Sequence, residues 1–129
     1  MVVVNPYDQY RQAQVLTAPP ERLVLMLYDG AIRFLDEARA ALNARDTARV
    51  HERVTRVQDI LTELMATLDF SYEISGNLYR LYEYLHGRLV QANLKKEAAP
   101  LDEVQRLLRE LCDTWTQALI SQAGGGENR

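Results

Sequence analysis

Glu83-x-x-His86 is the stretch of this 129-residue sequence that comes nearest to a metal-ligating pattern. In a helical bundle, a di-iron site takes Glu-x-x-His from each of two helices and a further Glu from each of two others. The pattern occurs once here. The other histidine, His51, has Ala48 three positions before it. Two solvated histidines on polar faces are therefore expected, with no metal and no cofactor. Cys112 is the single cysteine, so no internal disulfide can form. No histidine or basic cluster lies beside it in sequence, which makes it a small core residue rather than a nucleophile. Gly124-Gly125-Gly126 has no helical pattern after it and cannot act as a phosphate loop. The carboxylates are scattered, as solvated helix faces require. No catalytic residue and no enzyme activity are expected.

The chain carries 15 Lys and Arg against 18 Asp and Glu, a formal net charge of −3. That balance argues against a nucleic-acid partner held by bulk charge. No apolar run reaches the roughly 18 residues of a membrane span. Met1 to Pro6 lack the basic segment and longer apolar stretch of a signal peptide, so a cytoplasmic protein is expected.

Four segments carry helical periodicity. The first runs from about Pro20 to Asn43, with Val24, Leu27, Tyr28, Ala31, Leu35, Ala38 and Leu42 on one face. The second runs from about Thr47 to Leu68, capped by Asp46, with a seam of Val50, Val54, Val57, Leu61, Leu64 and Leu68. The third runs from about Tyr72 to Leu94, with Ser71 as its candidate cap and Ile74, Leu78, Leu81, Leu85, Leu89 and Ala92 as its seam. The fourth runs from about Leu101 to Gln122, entered through Pro100, with Val104, Leu108, Leu111, Trp115 and Leu119 inward. The glycine run is expected to stop it. Matched lengths and short connectors predict an all-α fold, an antiparallel up-down four-helix bundle with an N-terminal arm. The arm is 1–18, the bundle 19–122, and 123–129 a disordered tail.

The chain holds more apolar surface than one core needs. Leu23 to Tyr28 are six consecutive apolar or aromatic residues and cover a whole helix circumference. Met26 points away from the core with Asp29 and Arg33 near it. Leu25 and Ile32 share one flank, and Leu23 and Phe34 the other. In the third helix Tyr72, Tyr79 and Val90 fall off the seam on one strip, with Tyr82 and Tyr84 flanking the core on opposite sides. Tyrosine pairs apolar area with a polar tip and suits a surface that alternates between water and a partner. These residues either close the edges of the bundle or form a binding groove, and the groove is the favoured reading. An arm bearing Tyr7, Tyr10, Val15 and Leu16 would gain by covering such a groove, and a longer partner helix would displace it.

Those residues also resemble a known family. Asn5-Pro6-Tyr7 with Tyr10, then Leu25-Met26-Leu27-Tyr28-Asp29-Gly30-Ala31, are similar to its N-terminal motif and its most recognisable block. Gln58-Asp59-Ile60-Leu61, Thr67-Leu68-Asp69, Asn77-Leu78-Tyr79, Leu81-Tyr82-Glu83-Tyr84, Arg88 to Asn93 and Asp113-Thr114-Trp115 follow in order. The family is that of the bacterial flagellar secretion chaperone FliS, and the resemblance runs from Asn5 to about Ala118. It implies a helical bundle without enzymatic activity. It implies a client, the disordered C-terminal segment of flagellin, which is kept from polymerising and delivered to the flagellar type III export gate. It implies that the arm tyrosines take part in client binding.

The client-binding residues expected are Tyr7, Tyr10, Leu25, Met26, Asp29, Ile32, Tyr79 and Tyr82. The partners expected are flagellin and, as a chaperone–client complex, an export gate component, with no nucleic acid and no membrane insertion. The chain itself is expected to be a monomer or weak homodimer. The alternative is a self-associating helical adaptor whose excess apolar strip is a homodimer interface.

Overall fold

The computed structural model describes residues 20–127. They form four helices, α1 (Pro20–Asn43), α2 (Thr47–Ala66), α3 (Ile74–Lys95) and α4 (Ala98–Glu127), and no strand lies among the described residues. Helix α1 packs on α2 and α4, and α3 packs on the same two, so α1 and α3 sit on a diagonal. The direction of α4 against α1 follows from its contacts. Glu21 meets Trp115, Asp29 meets Cys112 and Arg39 meets Asp102, so one number rises as the other falls.

The inward seams build one core. Tyr28, Leu35, Val54, Leu61, Leu85, Leu89, Val104 and Leu108 are all buried. Each connector solves the problem of unpaired backbone groups at helix ends. After α1 the chain turns in three residues. Arg45 takes a left-handed conformation (φ 59°), the Asp46 amide donates to the Ala41 carbonyl, and the Asp46 carboxylate accepts from the Arg49 amide as the α2 cap. After α3, Lys96 is again left-handed (φ 51°) and the Glu97 amide reaches the Ala92 carbonyl.

Three sequence expectations change. Ser71 does not cap α3, which starts at Ile74 with no side-chain cap. Instead the Asp69 carboxylate accepts from the Ser71 amide (2.9 Å) and hydroxyl (2.7 Å), closing a local turn that competes with helix. Ile74, placed on the inward seam, is 61% exposed. The fourth helix does not stop before the glycine run, because its backbone stays helical to Glu127. Glycine weakens a helix by about 1 kcal/mol per residue but does not forbid helical dihedrals, so the preceding turns carry through. The expected tail thus starts inside a helix. The arm, 1–18, lies outside the described residues.

Candidate client-binding surface

The candidate site lies at one end of the bundle, where α1 and α3 begin and α2 ends. Trp115 is level with the first turn of α1, where its indole N–H donates to the Glu21 carbonyl at 3.0 Å. Helix α4 then runs on through residues 116–127, about 18 Å beyond that level at 1.5 Å per residue. On the far side α2 has ended and residues 67–73 loop across to α3. Beside Trp115 and this loop opens a cavity of about 810 Å³ with a floor of Leu23, Val24, Leu68, Leu78, Tyr82 and Trp115. Glu21, Glu63, Asp69, Tyr72 and Ile74 stand around it. The Asp69 turn holds the loop in shape, and the buried Ser75 hydroxyl donates to the Asp69 carbonyl at 2.5 Å. With its backbone committed there, the loop leaves Phe70 and Tyr72 63% and 66% exposed.

Most of the residues singled out from sequence lie elsewhere. Asp29 is exposed and accepts from the Cys112 thiol at 3.6 Å, and Gln105 donates to the Ile32 carbonyl. Both therefore lie along the seam between α1 and α4, where Ile32 is half-buried against the core. Burial, and then the Asp29 carboxylate, push the Cys112 thiol above its ordinary range, which disfavours the reactive thiolate. Leu25 and Met26 are half-buried. Tyr79 is exposed on α3, its ring tilted against Phe70 at a centroid distance of 6.0 Å. Tyr7 and Tyr10 lie outside the described residues. The structure does not gather this set into one patch, because its α1 members and Tyr79 are on diagonal helices.

Tyr82 is a correction. It is 2% exposed, and its hydroxyl lies 2.6 Å from that of Tyr28 across the diagonal. It is a core residue that only underlies the cavity, not a surface contact. Burial raises the pKa of both phenols, so the pair stays neutral. Sequence reasoning missed Leu23, Val24, Leu68, Tyr72, Ile74, Leu78 and Trp115 as site residues. Val24, Leu68, Leu78 and Trp115 belong to the inward seams and do pack against the core, whereas Ile74 does not. The seam pattern reports which way a side chain points, and not whether neighbouring elements close over it.

Among the described residues no group of three or more His, Cys, Asp or Glu is placed to hold a metal ion, and no helix is long and apolar enough to cross a membrane. A helical bundle whose described residues leave an apolar cavity at one end has the form of a scaffold on which a protein segment can dock. The particular family follows from comparison. A family model described as "Flagellar protein FliS" matches residues 3–122, and the chain belongs to that family. It is 38% identical over 122 residues to the flagellar secretion chaperone FliS of Bacillus subtilis (strain 168), covering 95% of this chain and 92% of that protein. It is 37% identical over 109 residues to the protein of the same name from Salmonella typhimurium, covering 82% and 81%. Against the flagellar secretion chaperone FliSB of Pseudomonas aeruginosa the figure is 36% over 121 residues, covering 89% and 96%. The family is one of chaperones, not of enzymes.

Proposed function

We propose that this chain is a flagellar export chaperone that binds the disordered C-terminal segment of flagellin in the cytoplasm, blocks its premature polymerisation and delivers it to the type III export gate. The observation that carries the reading is the open apolar end of the bundle, with Ile74 and Tyr72 standing exposed at its edge. Family membership supports it, since the relatives are named flagellar secretion chaperones. A bundle that leaves seam residues uncovered does so at a cost in stability unless something docks there.

The dispersal of the apolar residues favours a client that wraps. The end cavity, the α1–α4 seam with Leu25, Asp29 and Ile32, and the Phe70–Tyr79 pair are separate docking places. An extended chain that folds as it binds can reach several at once, offsetting its ordering entropy with a large buried area. Tyr7 and Tyr10 contribute client contacts from the arm, and Met26 contacts the client from the outer side of α1. The scaffold stays fixed and the chemistry is non-covalent throughout.

The experiment is far-UV circular dichroism of the purified chain mixed with a peptide of the flagellin C-terminal segment. The helical signal of the mixture should exceed the sum of the parts, and the chain should delay filament growth of full-length flagellin. A mixture equal to the sum, with undelayed filaments, overturns the reading.

A further inference from the structure

The cavity at the open end of the bundle has a charge pattern that its apolar floor does not require. Three carboxylates stand around it, each from a different element: Glu21 from the first turn of α1, Glu63 from the last turn of α2 and Asp69 from the connecting loop. All three are exposed. Hydrogen bonds from the Ser71 side chain and amide hold the Asp69 carboxyl below its usual pKa, which favours its charged form. No lysine, arginine or histidine is among the described residues lining the cavity.

The contrast with the rest of the bundle is informative. Elsewhere acidic residues at helix–helix edges meet arginines: Glu37 with Arg53, Asp102 with Arg39, Glu103 with Arg88. At this end no described arginine forms an ion pair with any of the three. An apolar trough ringed by like charges disfavours an acidic occupant and favours one whose apolar face is flanked by cations. We propose that the occupant of this cavity is a partner segment of that chemistry, an amphipathic stretch with lysine or arginine on both sides of its apolar face. The inference deepens the proposed chaperone function by naming the chemistry selected at one docking place, and so it rests on that reading. Because the carboxylates are exposed, the selectivity is sensitive to salt and acts more on the rate of encounter than on residence.

Trp115 provides the readout, being the only tryptophan of the chain and part of the cavity floor. The full chain is titrated, following its fluorescence, with two synthetic helical peptides that share one leucine face. One carries flanking lysines and the other flanking glutamates. The lysine peptide should bind about tenfold tighter at low salt, and the difference should collapse at about half-molar salt. A variant carrying Glu21→Gln, Glu63→Gln and Asp69→Asn should lose the preference and still bind the leucine face. Asp69→Asn keeps an acceptor for Ser71.

Equal binding of the two peptides, a preference that survives in the triple variant, or no response of Trp115 to either peptide overturns the inference. A response of Trp115 to protein concentration alone, with dimer formation in sedimentation, places a second copy in the cavity and also overturns it. The flagellin C-terminal segment is titrated in parallel. If flagellin binds without a lysine preference, the inference fails and the chaperone reading stands. If the preference holds and flagellin does not bind, the chaperone reading fails and the inference stands.

Discussion

The Tyr28–Tyr82 pair shows how much one hydroxyl can decide. Each phenol oxygen is the partner of the other in a buried place. Tyr28→Phe or Tyr82→Phe removes one partner and strands the other, at a cost of about 1–3 kcal/mol. Replacing both removes the unmet group, so the double variant should be less destabilised than the two single losses added together. Urea denaturation of the three variants, read as a double-mutant cycle, tests this. The pair also sets a pH dependence. Burial raises both phenols above their ordinary 10.0, and raises Cys112 above 9.0. An acid whose folded pKa is raised contributes stability that is intact below its unfolded pKa and lost as pH rises above it. The melting midpoint should therefore hold to about pH 9 and fall beyond it, with a shallower fall in the double phenylalanine variant. A midpoint that stays flat above about pH 9 would contradict the burial of these groups. In the sequence, Tyr82 was indistinguishable from its exposed neighbours. It sits one turn past Leu78 and one short of Leu85, and only the Tyr28 hydroxyl across the diagonal makes that position tolerable for a phenol.

Helices were legible because their signals are local. The bounds of α1 followed from Pro20 and the seven-residue apolar face, and the Asp46 cap of α2 from its side chain alone. The α2–α3 loop was not legible, because Asp69 accepts from both Ser71 and Ser75 within a six-residue span, a local turn that competes with an earlier start of α3. The run-on of α4 through three glycines was not legible either, since composition alone marks them as a stop. Two substitutions test the element-level account in opposite directions. Arg45 adopts a left-handed conformation, so Arg45→Gly should stabilise the chain by about 0.5–1 kcal/mol. Gly87 lies inside α3 with open space where a Cβ would stand, so Gly87→Ala should stabilise by about the same amount through helix propensity. Thermal melts of both variants check this. A loss of stability in either would mean that the turn or the helix is held by something other than its own backbone.

At the scale of the whole molecule, the fold was readable and the site only partly so. Four seams of inward residues dictate a bundle. They do not say that the first turn of α1, the end of α2, the 67–73 loop, the start of α3 and Trp115 leave a cavity among them. The excess apolar residues of α1 and α3 were readable as excess, but their division between diagonal helices was not. Met26→Lys and Tyr10→Lys should each weaken client binding at least about tenfold, with nearly unchanged melting. A lysine at half-buried Met26 can lay its stem along the helix and keep its charge in water. Equal affinity in both variants would remove these residues from the surface. The most direct test is titration calorimetry of the flagellin C-terminal segment into the wild-type chain and into Ile74→Asp, whose site at the cavity edge is already 61% exposed. The expected result is saturable binding with a negative heat-capacity change, weakened at least about tenfold by the substitution while the fold persists. Binding that Ile74→Asp leaves untouched, or no binding to the wild type, would contradict the claim that the open end of the bundle receives the client.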